Sequence, residues 1–193
     1  VNNPNAVNSG QRGEWDWVIE DNNSTANTSF YFRMVKSDGS VLESYTNYPR
    51  INIPPALSLT QQDYRWFMNA NALNPVTPLA AENTAYINAT LDTVFRLRIN
   101  IQFTGMDLAT SAQAFKLQYA TSTLGPWTDL GAIGSLQPWR GFDNPTPLDG
   151  SVVTATLLAS STTTESYEEQ NPSNSNPVAI PVNGRGEWDW IIH

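Results

Sequence analysis

One segment of this chain occurs twice, and no other feature restricts the fold as much. Glu14-Trp15-Asp16-Trp17 returns as Glu187-Trp188-Asp189-Trp190, an offset of 187 − 14 = 173 residues. Held without gaps, the offset also aligns Asn3-Pro4, Ala6, Arg12-Gly13 and Ile19 with Asn176-Pro177, Ala179, Arg185-Gly186 and Ile192, giving 10 identities in 20 overlapping residues. Val7/Ile180 and Val18/Ile191 are conservative partners. A long-period repeat constrains architecture before local propensity does. This one implies one full period of a repeating unit plus a second copy of one segment.

Each copy has period two. Trp15, Trp17 and Ile19 alternate with Glu14, Asp16, Val18 and Glu20, which predicts a half-buried strand with an acidic, solvent-facing side. Outward acids also suit an edge strand, where they discourage stray pairing. Residues 29–36 alternate again, with Phe30, Phe32 and Met34 inward. An Asp38-Gly39 turn then predicts a hairpin that returns over residues 41–45. Residues 48–55 read as a Pro-rich linker.

Beyond Leu57, strands are predicted over 64–68, 94–103, 115–119, 127–130, 152–158, 178–182 and 186–192, with another beginning at Tyr167. No window of ten or more residues carries a 3.6-residue apolar period. The class is therefore all-β, and short strands between Gly, Pro and Asn turns predict an antiparallel sandwich.

Composition narrows function. The net charge is −8, and the chain has 2 Lys and 8 Arg, so the basic stripe needed for nucleic acid or an anionic membrane is missing. With no cysteine, disulfides, thiolate metal sites and cysteine nucleophiles are excluded. No apolar run approaches the ~20 residues of a membrane span. The chain opens on Val1 with no signal-peptide pattern, which reads as a processed protein or an excerpt from a longer one. Charged residues are only 15%, and the polar surface is supplied by Asn, Thr, Ser and Gln, a composition suited to an extracellular or cell-surface β-protein. Asn22, Asn23, Asn27 and Asn88 fit the N-glycosylation acceptor pattern, which places them in surface loops.

Chemical motifs are few. The single histidine is His193, so no His-based triad or multi-His metal site exists. Glu168-Glu169 and Glu14/Asp16 pair carboxylates as glycosidases do, but neighbours one apart in a strand point to opposite faces, and the pair two apart is read on the solvent face. Asp143, Asn144 and Asp149 form an oxygen-rich loop, better read as an Asx turn than as a calcium site. The expectation is no catalysis, no metal and no cofactor. Trp139, Arg140 and Phe142 in one loop are the candidate platform for a glycan, since aromatic faces stack on apolar sugar faces.

Two hairpin patterns resemble the immunoglobulin-like and fibronectin type III-like superfamily. Phe115-Lys116-Leu117-Gln118-Tyr119 followed by Trp127-Thr128-Asp129-Leu130 is similar to its central hairpin. Phe30 to Val35, then Asp38-Gly39 and Tyr45, is similar to its final one. More specifically, the chain resembles a repeat found in tandem in very large predicted surface proteins of uncultivated small-genome bacteria. Tyr64-Arg65-Trp66, Phe95-Arg96-Leu97-Arg98, Tyr167-Glu168-Glu169-Gln170-Asn171-Pro172 and the Gly186-Glu187-Trp188-Asp189-Trp190 segment carry this resemblance. It implies a structural role and no catalytic residues.

The resemblance also implies a chain out of phase with its repeat. Residues 1–54 would be the last hairpin of one unit, and 57–193 the sandwich core of the next. Two arrangements would supply the missing hairpin: residues 21–54 of one molecule complete the core of another by donor-strand complementation, building a head-to-tail homopolymer, or they fold back onto their own core and leave one Glu-Trp-Asp-Trp copy free to pair elsewhere; the first is the expected one. Trp15, Trp17, Ile19, Phe30, Phe32, Met34, Trp188 and Trp190 are the expected joint. The alternative is a cell-surface adhesin or carbohydrate-binding module built on Trp139, Arg140 and Phe142.

Overall fold

The computed structural model describes residues 6–193. Asn3 and Pro4, the first matched residues of the repeat, lie outside them. The chain divides after Ile53 into two compact units. Among the described residues there is no helix.

In the first unit, β1 (Ser29–Tyr31) pairs antiparallel with β2 (Arg50–Asn52), Phe30 standing opposite Ile51. The ladder extends through Phe32 N to Pro49 O (2.9 Å) and Ile53 N to Thr28 O (2.8 Å). The Asp38-Gly39 turn forms as expected and closes a single Val35/Val41 bridge. The expected return strand over 41–45 does not form. Tyr45 instead turns its hydroxyl inward, donating to Met34 O (2.5 Å) and accepting from Leu42 N (3.0 Å). The strand partner comes from the supposed linker. No residue from 6 to 53 is buried.

The second unit is built on a four-stranded sheet in the order β3-β4-β8-β7. Its strands are β3 (Ser58–Met68), β4 (Phe95–Thr104), β7 (Thr163–Glu168) and β8 (Arg185–Ile192). β4 is antiparallel to β3 and β8, but β7 runs parallel to β8, so the sheet is mixed rather than wholly antiparallel. The short pair β5 (Gln118–Tyr119) and β6 (Thr128–Asp129) forms a separate two-stranded sheet. Strand 115–119 is shorter than expected because Asn171 intrudes. Its side chain accepts from Leu117 N (2.8 Å) and donates to Leu117 O (2.7 Å). Residues 152–158 keep only a Val152/Ser166 bridge, and the strand expected to begin at Tyr167 begins at Thr163 and ends at Glu168.

The alternation in β4 sorts two interiors. On one face Phe95, Leu97 and Ile99 stand opposite Ile192, Trp190 and Trp188. These residues, with Phe103, Leu108, Leu130 and Ile180, form the main apolar core. On the other face lie the polar residues of β4 and β8, with a small apolar cluster of Val153, Tyr167 and Ile191.

Candidate functional site

The polar face of β4 and β8 departs most from the sequence expectation. Arg96, Arg98, Asn100, Glu187 and Asp189 are all fully buried. Strand pairing sets Arg98 directly opposite Asp189 and Asn100 opposite Glu187. Arg96 grips Asp189 with two nitrogens, its Nε at 2.9 Å from Oδ1 and its Nη2 on Oδ2. Arg98 Nε donates to Asp189 Oδ2 (2.7 Å), and its Nη1 donates to Glu187 Oε1 (2.9 Å).

The remaining valences are filled by loops. Arg96 Nη1 donates to Ala70 O (3.0 Å) and Ala72 O (2.9 Å), and Arg98 Nη2 donates to Leu73 O (2.9 Å) and Asn74 Oδ1 (3.1 Å). Glu187 accepts from Leu157 N (2.8 Å) and Leu158 N (3.0 Å). The Arg96 guanidinium also lies 4.5 Å from the centroid of the Tyr167 ring. Two cations and two anions cancel, and their hydrogen-bonding groups have partners, which is the condition for burying charge without a large penalty.

Glu187 and Asp189, the acids of the second copy, are therefore not a solvent face, and β8 is a central strand, not an edge. The sequence did hold a signal for this. Arg96-x-Arg98-x-Asn100 and Glu187-x-Asp189 share period two with opposite charge, as antiparallel partners do.

The first copy of the repeat lies in the opposite environment. Residues 12–19 belong to no strand or bridge. Trp15 is 42% exposed and Trp17 60%, against 1% for Trp188 and 2% for Trp190. Ile19, Glu14 and Asp16 are exposed as well.

Local packing is nevertheless shared by the two copies. The Trp15 ring lies over Gly13 beside Val7, so that a Cβ built on Gly13 would meet Trp15 Cη2 at 2.7 Å and Val7 Cγ2 at 3.3 Å. The Trp188 ring lies over Gly186 beside Ile180, where the corresponding distances are 2.9 Å to Trp188 Cη2 and 2.4 Å to Ile180 Cδ1. Gly13, Trp15 and Val7 are the repeat equivalents of Gly186, Trp188 and Ile180.

Of the expected joint residues, Trp15, Trp17, Ile19, Phe30, Phe32 and Met34 are exposed. Trp188 and Trp190 are not, because they complete the core of their own unit. The expected glycan platform is not assembled. Trp139 packs on the main core with its ring 6.3 Å from that of Phe95. Phe142 joins the small cluster on the other interior and meets the His193 ring at 5.7 Å. Arg140 contacts His193 through Nη2 and Nδ1 (2.9 Å). The four sequon asparagines, Asn22, Asn23, Asn27 and Asn88, are exposed.

The loop with Asp143, Asn144 and Asp149 spends its polar groups internally. Asp149 Oδ1 accepts from Glu169 N (2.7 Å), and Asn144 Nδ2 donates to the Tyr167 hydroxyl (3.0 Å). Among the described residues no three acids or histidines gather as a metal site would require. Glu168 and Glu169 are both bound within the fold, to Ser166 and Asn174 and to Tyr167 and Asn144. Burial pushes Glu168 up to about 7 and also raises Glu169. Glu165, buried with one oxygen unpartnered, is pushed up to about 7 by desolvation.

A cavity of about 320 Å³ lies between the four-stranded sheet and the β5–β6 pair. Its walls include Leu97 and Ile192 from the sheet, Leu117, Trp127 and Leu130 from the hairpin, and Trp139. Comparison with protein-family models, with curated proteins and with solved structures found no match to this chain.

Proposed function

We propose that this chain is a structural repeat of an extracellular filament or surface layer. Its core is read as an immunoglobulin-like sandwich, and its neighbours are read as copies of itself joined head-to-tail by strand exchange. One observation carries this reading: a single strand sequence stands twice in the chain, once buried between β4 and β7 and once exposed with no sheet around it. A strand whose aromatic face is complementary to a known sheet environment, and which lacks that environment, is suited to a second unit of the same kind.

Two further features support it. Residues 6–53 bury no side chain, and an isolated two-stranded hairpin of that kind is marginal in water. The surface is polar but sparsely charged, as suits an extracellular assembly. A glycan platform shared by Trp139 and Phe142 is the less favoured reading because the two rings pack against different clusters.

Electron microscopy of the purified chain beside its mass in solution tests the reading. Filaments or large oligomers that disappear on deletion of residues 1–53 are expected. A chain that remains monomeric at every concentration tried would sink it.

A further inference from the structure

The exposed aromatics of the first unit and the cavity of the second correspond in chemistry and in position along the repeat. The cavity wall contains Ile192, which is the repeat equivalent of Ile19. In the order of the repeat, Ile19 is followed 30 − 19 = 11 residues later by Phe30. Eleven extended residues span up to roughly 36 Å, enough to carry the hairpin back across the core that its preceding strand has just completed.

Along the extended stretch from β1, the side chains of Phe30 (38% exposed), Phe32 (38%) and Met34 (41%) alternate with Tyr31, Arg33 and Val35. They form a row of apolar groups with no buried partner. An apolar cavity of ~150 Å³ holds one benzene ring, so on that scale the 320 Å³ available here has room for about two rings. One lining residue, Trp127, is 54% exposed. Both edges of the sheet are partly occupied, leaving residues 58–62 of β3 as the open stretch. The β7 edge is occupied by residues 150–153, through Gly150 N to Tyr167 O and Val153 N to Glu165 O (each 2.8 Å). Along residues 64–68, the β3 edge is occupied by residues 77–83.

We infer that the cavity between the four-stranded sheet and β5–β6 is the acceptor site for a second copy of this chain, which inserts Phe30 and Phe32, with Met34 following. The inference rests on the strand-exchange reading above and names the surface through which it operates. Charge does not oppose the docking, since the cavity is lined almost wholly by apolar side chains and the inserted groups are neutral.

The chain has no cysteine, so single cysteines report contacts without background. Full-length Met34→Cys and Gln118→Cys, which leave both phenylalanines and the aromatic wall intact, are mixed in equal amounts and oxidised, with Leu91→Cys, a highly exposed position in a loop, in place of Gln118→Cys as the control. The expected result is a disulfide-linked heterodimer well above the control. Separately, Phe30→Ala and Phe32→Ala should each weaken self-association at least about tenfold, as truncating an aromatic anchor at an interface centre does. A heterodimer no more abundant than the control, in a chain that still self-associates, would overturn the cavity assignment while leaving strand exchange standing. A double Met34→Cys/Gln118→Cys chain that closes only on itself as a monomer would overturn the second-copy assignment. Absence of both cross-linking and self-association would remove this inference and the proposed function together.

Discussion

Asp189 is the residue on which both buried arginines converge. Removing its carboxylate would leave two guanidinium groups in a dry interior with a single counter-charge, Glu187, which reaches Arg98 and not Arg96. Breaking a buried ion pair from one side costs about 3–5 kcal/mol. Asp189→Ala should therefore lower the melting temperature of the second unit by roughly 10 °C, taking about 2–4 °C per kcal/mol for a unit of this size. Its repeat equivalent Asp16 is exposed, and Asp16→Ala should change stability in dilute solution by less than about 0.5 kcal/mol. Two thermal melts decide this, and equal effects at the two positions would contradict the burial difference between the copies.

Glu165 gives a second prediction at the same scale. Its folded-state value of about 7 lies above the ordinary 4.5, because burial disfavours the charged form. The folded chain therefore holds this proton more tightly than the unfolded chain. The favourable contribution is complete at pH below 4.5 and is lost as pH rises through about 7. Glu168, raised to a similar value mainly by burial, acts in the same direction. Glu165→Gln should flatten part of the fall in melting temperature across that window. A variant with an unchanged pH profile would show that Glu165 is not the group responsible.

Among the elements, β8 carries the most information. It is central, it pairs in opposite senses on its two sides, and its two faces serve interiors of different chemistry. A one-residue slip against β4 would drive Asp189 into the aromatic core and Trp190 into the ionic one, so the register is fixed from both faces. Gly186 sits where the strand must admit the Trp188 ring and Ile180. Gly186→Ala should cost about 1–3 kcal/mol by overpacking. Gly13→Ala disturbs the same local contact in a copy without a sheet, and denaturant unfolding should register a smaller loss there. The β1–β2 hairpin is the contrasting case. Its ladder is short and it borders no buried side chain, so its persistence depends on what it packs against.

For the whole molecule, the two units differ in what they can bury. The second holds an apolar core and an ionic one; residues 6–53 hold neither. Hydrogen exchange should separate them. In dilute monomer, amides of residues 6–53 are expected to exchange with little protection, while those of β4 and β8 exchange only on global unfolding. On assembly, protection should spread to residues 12–19 and 29–35. Protection that stays confined to the second unit at concentrations where the chain is polymeric would contradict strand exchange as the joint.

Much of this was legible in the sequence because it is local. Alternation located β4 and β8, and the Asp38-Gly39 turn formed where its residue types require it. The partner of β1 was not legible. Residues 50–52 carry no strong alternation, and the choice between them and 41–45 was made by the Tyr45 hydroxyl and the Pro49 carbonyl. Nor was the fate of the platform residues, since a loop aromatic is directed inward or outward by the clusters beneath it, not by its neighbours in sequence.

The repeat itself marks the division most clearly. Both copies set a Trp ring over a Gly beside a β-branched residue, because those contacts lie within ten residues and need nothing from elsewhere. The sequence alone determined that much. Whether the segment became a strand, and whether its acids met water or arginine, was decided by the tertiary structure. A strand's backbone groups are satisfied only by neighbouring strands, and a buried carboxylate is tolerated only where opposite charge is delivered to it. In this chain that charge comes from Arg96 and Arg98, about ninety positions away and brought alongside only by the pairing of β4 with β8.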